Sequence, residues 1–333
     1  MRRNIFIPIL FLLCLAELRA QDFHLTQYDQ FTMYLNPALT GNFLGDNYDY
    51  RASIIYRTQW RPLTSKPYVT YGAGYDMPYK RFGLGGYLID NRSGGMNFNT
   101  LNFQSSASYA ITDPATSPHL LNVGMQLGLF YKTFNMNNLL FESQYDYSSG
   151  QLNPAISSGE NFQRFSRTNF DANMGIFYKY KEKDSKYHPF AGLSLFHVNM
   201  PMETFSSYQQ RLPIRWNLHG GCDIFIDEKW HVTPMFLYMN QAKAWEFNLG
   251  ALAYYKLSDS KDAQYDLIFG MNYRVKDAVM LQAGCKRDKF TLRMSYDINT
   301  SALRTFSNGR GGFELSIVYT GISGQSPFTR ASF

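Results

Sequence analysis

The sequence predicts an all-β fold: a transmembrane, antiparallel, up-and-down barrel of about fourteen strands behind an N-terminal signal peptide. Three observations predict it. Apolar and polar residues alternate at period two from Tyr50 to Tyr319, as in Trp245-Glu246-Phe247-Asn248-Leu249-Gly250-Ala251 and Phe290-Thr291-Leu292-Arg293-Met294-Ser295-Tyr296-Asp297. Successive side chains of a strand point to opposite faces, so such a segment is apolar on one side and polar on the other. Aromatics make up 17% of 333 residues, with 25 Tyr and 27 Phe, yet no run outside the N-terminus nears the ~18–20 apolar residues of a membrane helix. Met1 to Ala20 has an arginine pair, an apolar stretch from Ile5 to Leu15 and a small residue before Gln21, the pattern of a secretory leader.

The chain divides accordingly into a signal peptide (1–20), an N-terminal periplasmic or plug-like segment (21–48), the barrel (49–320) and a C-terminal tail (321–333) ending in Phe333. Residues 21–48 show no sustained alternation. Strand candidates follow at 49–60, 67–78, 82–91, 97–111, 119–133, 168–181, 187–199, 211–226, 229–240, 243–257, 262–275, 278–287, 289–298 and 311–320. Segments of about ten residues at ~3.3 Å each, tilted ~45°, cover an apolar band of roughly 25 Å. An even count suits a bacterial barrel with both ends in the periplasm. Connections after odd strands include the long ones, Phe134 to Arg167, Met200 to Gln210 and Asn299 to Arg310, and are expected outside; those after even strands, such as Asp227-Glu228, are short. Pro234 removes one ladder donor, so a bulge or a strand boundary is expected there. A β-sandwich would also alternate, but its outward face would be polar.

Parity assigns the faces. In the first segment Tyr50, Ala52, Ile54, Tyr56 and Trp60 oppose Arg51, Ser53, Arg57 and Gln59, with Ile55 an exception; in the eleventh, Tyr265, Leu267, Phe269, Met271 and Tyr273 oppose Asp266, Gly270, Asn272 and Arg274. An arginine turned to lipid at the midplane costs ~2–4 kcal/mol, and a one-residue slip would expose the whole polar set. The polar set is therefore assigned to the lumen: Arg51, Arg57, Asp76, Asp171, Arg215, Glu246, Asp266, Arg274, Arg293, Asp297 and Glu314. A selective pore favours a single-sign constriction. Mixed signs suit a paired network and a filled or gated lumen, with residues 21–48 or the Phe134 to Arg167 loop as the filling.

Enzyme chemistry finds no support: there is no metal-ligand motif among the six scattered histidines, no nucleophile elbow and no nucleotide loop. Gly83-Leu84-Gly85-Gly86 sits within a strand, where close packing explains it; His197 and His219 are simplest as lumen or interface residues. Cys222 and Cys285 are expected to be semi-buried thiols. The formal net charge of +6 falls once Arg2, Arg3, Arg19 and Glu17 are removed with the leader, and no basic block marks a nucleic-acid partner. No cofactor is implied.

Gln27-Tyr28, Phe31, Tyr34-Leu35-Asn36-Pro37-Ala38 and Gly41, followed by Tyr56-Arg57-Thr58-Gln59-Trp60 and later by His219-Gly220-Gly221 and Tyr273-Arg274-Val275-Lys276-Asp277-Ala278, resemble the PorP/SprF family of Bacteroidetes outer-membrane proteins. The resemblance covers essentially the whole mature chain. It implies a non-enzymatic outer-membrane role in type IX secretion and gliding motility. It further implies that the chain supports export or surface anchoring of cargo with a type IX C-terminal signal, such as large adhesins. The implied partners are that cargo, periplasmic ring and peptidoglycan-linked components, and outer-membrane lipid. The competing reading is a porin or ligand-specific channel; a lipid enzyme ranks below both. Asn36 and Pro37 are expected to form a turn docked in the lumen, the alternative being a docking motif for a periplasmic partner. Arg57 and Gln59 are expected to clamp the 21–48 segment, Trp60 to join the outer aromatic girdle, and Arg215, Arg274, Arg293 and Asp297 to line the docking surface.

Overall fold

The computed structural model describes residues 22–43, 49–61, 66–94, 98–135, 141–159, 165–203, 205, 210–260, 263–302 and 304–321. The proposed leader (1–20), the final Phe333 and all but the first residue of the 321–333 tail lie outside them. Among the described residues no helix is long and apolar enough to cross a membrane. The crossing elements are strands: β1 (Tyr50–Gln59), β2 (Tyr68–Tyr79), β3 (Phe82–Ser93), β4 (Phe98–Ala110), β5 (His119–Thr133), β6 (Ser166–Tyr180), β7 (Tyr187–Phe196), β8 (Arg215–Phe225), β9 (Trp230–Gln241), β10 (Ala244–Ser260), β11 (Ala263–Arg274), β12 (Ala278–Arg287), β13 (Phe290–Asn299) and β14 (Arg310–Gly321).

Each strand pairs antiparallel with its sequence neighbours, and β1 pairs with β14 in unbroken register from Tyr50↔Gly321 to Gln59↔Gly312. The sheet is a closed 14-stranded barrel, so no edge of backbone donors and acceptors faces lipid. All fourteen segments read from the alternation are present, with ends shifted by a few residues. Pro234 produces neither a bulge nor a strand boundary. Its strand keeps continuous register with β10 (Pro234↔Ala251), while pairing with β8 lapses between Gly221↔Met235 and Ile224↔Val232 without a shift. The missing donor thus costs a local gap in one ladder. Register shifts occur instead at Lys256/Ser258 in β10·β11 and at Tyr296/Ile298 in β13·β14.

The barrel is apolar outside and polar inside. Ile54, Phe103, Met125, Phe170, Leu249 and Met271 are exposed on the outer wall, whereas Arg57, Gln104, Asp171, Asn248, Arg293 and Glu314 are all but inaccessible. Cys285 is exposed on that outer wall and Cys222 half-buried, both as free thiols, so only one of the two is semi-buried; odd-numbered positions of β12 face outward with Leu281. The described part of the Phe134 to Arg167 loop folds on itself as a small hairpin, Tyr145↔Leu152, that leaves Tyr147 exposed.

Residues 22–43 lie inside the barrel. They carry a single helical turn (Thr32–Leu35) followed by a 3-10 turn (Pro37–Leu39). Asp22 meets Arg215 and His197 at the rim formed by connections after odd strands. Gly41 meets Asp76 near the β2–β3 turn at the opposite rim. The segment therefore runs the length of the lumen and is not confined to one mouth. Apolar exceptions to the alternation mark where it packs: Ile55, Tyr87 and Ile89 close around Leu25, Phe31, Met33 and Tyr34, while Phe177, Met235, Leu237 and Leu252 close around Tyr28, Leu35, Ala38 and Leu39. These side chains leave lumenal water, not lipid, so the ordinary hydrophobic gain of ~1.5–3 kcal/mol per large side chain applies.

Candidate functional site: the lumen and its N-terminal segment

Irregular backbone at membrane depth requires partners for its polar groups, and the wall supplies them. Thr26 and Gln27 dock on the closure seam. The Thr26 amide donates to Glu314 Oε2 (2.8 Å) and the Gln27 amide to Glu314 Oε1 (2.6 Å), while Thr26 Oγ1 donates to Asp297 Oδ1 (2.8 Å). Arg57 organises this group: Nη1 donates to Thr26 Oγ1 (2.7 Å) and Glu314 Oε2 (3.0 Å), and Nη2 to Asp297 Oδ2 (2.8 Å). Arg274 Nη2 reaches the same Asp297 oxygen (2.8 Å) while its Nε donates to Asp277 (2.7 Å), so Arg274 fixes the carboxylate and does not touch the segment through these bonds. Arg293 pairs with Asp29, next along the segment.

The Asn-Pro turn is held on the other side of the barrel. Asn36 Oδ1 accepts from the Ala38 amide (2.9 Å), capping the 3-10 turn that Pro37 begins. Its Nδ2 donates to the Ile176 carbonyl (3.0 Å) and lies 3.1 Å from His219 Nε2. Ser194 Oγ and Asn217 Nδ2 donate to the Leu35 carbonyl, and Gln126 Nε2 to that of Met33. The wall is thinned where the turn touches it: a Cβ added at Gly124 would strike the Pro37 backbone, one at Gly175 the Asn36 side chain, and one at Gly83 the Thr40 carbonyl. Only glycine admits so close an approach. Next along, Thr40 Oγ1 meets Ser106 Oγ (2.5 Å), the Gly41 amide donates to Asp76 (2.7 Å), and Arg51 joins Asp76 to Thr32 Oγ1.

The third anchor is Asp22. Both ring nitrogens of His197 face carboxylates at 2.8 Å, Nε2 toward Asp22 and Nδ1 toward Asp171, and Arg215 Nη1 lies 3.0 Å from Asp22. Only an imidazolium can donate both ways. Burial alone would push this imidazole down, but the two carboxylates outweigh it and raise His197 to about 9. Burial likewise opposes ionisation of Asp22, yet His197 and Arg215 hold it below the usual carboxylate range. Arg215 also stacks on Tyr34 and Phe196, its guanidinium carbon 4.6 and 4.3 Å from the ring centres, and donates to Tyr34 Oη (2.7 Å). A raised histidine stabilises the docked state fully below its ordinary value and ceases to do so as pH climbs through about 9; the Asp22 contribution is lost only on acidification. Protection factors at residues 22–24, corrected for the intrinsic base-catalysed exchange rate, are therefore expected to be highest near pH 6 and to fall between pH 7 and 9, with no change in those of Leu35–Leu39.

Within the segment Arg57 bonds Thr26 and not the Asn-Pro turn, which packs on β4, β5 and β6. Among the described residues Gln59 makes one long contact, Nε2 to His24 Nε2 at 3.4 Å, and Trp60 packs edge-on against Tyr68. Asp22, Thr26, Gln27 and His197 carry docking bonds that parity on the strands could not identify. Among the described residues no group of three or more His, Cys, Asp or Glu is placed to hold a metal ion.

The family model for the type IX secretion system membrane protein PorP/SprF matches residues 17–319. The chain belongs to the PorP/SprF family. It is an outer-membrane barrel of type IX secretion. None of the curated proteins searched matches it. Among solved structures it is similar to the Ralstonia pickettii toluene transporter TbuX (TM-score 0.54, 12% identity, covering 88% of this chain and 93% of that one). A TodX monoaromatic hydrocarbon channel mutant (0.52, 11%, 88% and 94%) and the CymD monoaromatic hydrocarbon channel (0.51, 12%, 89% and 93%) are also similar. At such identities the likeness shows the barrel fold alone. The family and these structures are secretion and channel barrels, not enzymes.

Proposed function

We propose that this PorP/SprF barrel works with its lumen closed, as a membrane-embedded support for export or surface anchoring of cargo bearing a type IX C-terminal signal, large gliding-type adhesins included. The observation that carries this reading is the segment 22–43, which fills the lumen and is tied to the wall at both rims. With the lumen occupied, a polypeptide cannot pass through the barrel. The surfaces left for partners are the loops at the two rims and the outer wall. In this reading the leader 1–20 directs export, residues 21–48 form the plug, and Asn36, Pro37, Arg57, Arg215, Arg274, Arg293 and Asp297 are its docking residues, with Gln59 peripheral. The long connections after odd strands face the cell surface and meet cargo; the short turns face the periplasm and meet the ring and peptidoglycan-linked components.

Affinity purification of the tagged chain from native membranes in mild detergent tests this. Recovery of a large C-terminal-signal protein or a periplasmic ring component is the expected result. A chain that purifies alone and carries steady large currents in planar bilayers would instead be a porin.

A further inference from the structure

A chamber of about 300 Å³ lies between the segment and the wall, in the half of the lumen nearer the short turns. Leu35, Leu39 and Phe43 of the segment face Phe177, Met235 and Leu252 of the wall across it. The charges on its described wall are already matched: Asp29 by Arg293, Asp223 by Lys179 at 2.7 Å and by the Thr233 hydroxyl, also 2.7 Å, and Lys286 is engaged as well. His219 is engaged by Asn36. One polar atom of the described lining residues stands out: Tyr28 Oη is buried without a hydrogen-bond partner, on a side chain only 6% exposed. A buried hydroxyl left unsatisfied costs about 1–3 kcal/mol, and such an atom calls for a ligand or a resident molecule.

We propose that this chamber binds a small, uncharged, largely apolar molecule, of one or two rings or an equivalent alkyl chain, whose single hydrogen-bond acceptor meets Tyr28 Oη. Size agrees, since apolar cavities of about 150 Å³ already take up benzene and ligand sites begin near 300 Å³. With no unmatched charge among the described lining residues, an ionic ligand is excluded on desolvation grounds. Because segment and wall both line the chamber, an occupant bridges them and adds its binding free energy to docking.

Acetophenone and ethylbenzene are nearly isosteric probes, with and without an acceptor. Titrated into the full chain in lipid nanodiscs, both are expected to saturate at one site, acetophenone about tenfold more tightly. Tyr28→Phe should abolish that ratio while leaving ethylbenzene binding in place. Leu252→Trp, which fills the chamber, should remove binding of both, with protease protection of residues 22–43 confirming that the segment is still docked. The proposal is overturned if neither probe saturates the native chain, if Leu252→Trp binds as the native chain does, or if the ratio survives in Tyr28→Phe. Should the tryptophan variant not fold, the Tyr28→Phe ratio decides alone.

Discussion

Arg57→Ala is expected to undock residues 22–29 from the seam while the barrel stays closed. The guanidinium is 1% exposed and is shared by two carboxylates and one hydroxyl of the docking group. Its removal leaves Glu314 buried without the cation that faces it and Asp297 with Arg274 alone. Stripping one partner from a buried ion pair typically costs about 3–5 kcal/mol, and each ~1.4 kcal/mol is a factor of ten in the docked-to-undocked ratio. The seam itself is held by the β1·β14 ladder, whose backbone bonds do not involve the side chain. Limited proteolysis and hydrogen exchange should therefore find Thr26 and Gln27 exposed in a detergent-resistant barrel. If residues 22–29 stayed as protected as in the native chain, Arg57 would not be the clamp.

A second large effect is expected from Gly124→Val. Position 124 lies in β5 opposite Gly175 of β6, and a Cβ there meets the Pro37 carbonyl carbon and the Ala38 nitrogen. Those are backbone atoms and cannot swing aside as a side chain would. The turn must lift, which breaks the Ser194 and Asn217 bonds to Leu35 and the Asn36 cap contacts with the wall. Overpacking of this kind costs about 1–3 kcal/mol even before those bonds are counted. Valine suits a strand, so the barrel should be unharmed. Exchange at Leu35–Leu39 should rise, and the double variant with Arg57→Ala should fall short of additivity, since both act on one docked segment. Unchanged protection at Ala38 would show that the turn is not seated on glycine.

What was legible in the sequence was the wall. Lipid outside and polar groups inside impose a period of two on every strand, and that period fixes both the strand count and the direction of Arg57, Arg215, Arg274 and Arg293. The segment was not legible in the same way. Its contacts follow no period: Thr26 reaches Glu314 across 288 positions, and Asp22 reaches His197 across 175. Ile55 looked like an error in the alternation because the residues it packs against, Phe31 and Met33 among them, are irregular. Inward-facing Ile89, Leu252 and Ile268 are the same kind of signal: an apolar residue on a lumen face implies a partner inside. The Asn36-Pro37 turn was visible from its residue types, but which residue of the segment Arg57 holds was not, because nothing local separates Thr26 from the turn ten residues later.

The central claim is that residues 22–43 close the barrel, and the most direct measurement is single-channel conductance of the purified chain beside a variant lacking those residues. The account predicts a native protein that holds a bilayer silent and a deletion variant that folds into the same barrel and carries steady current. A native protein that conducts as freely as the deletion variant would contradict it.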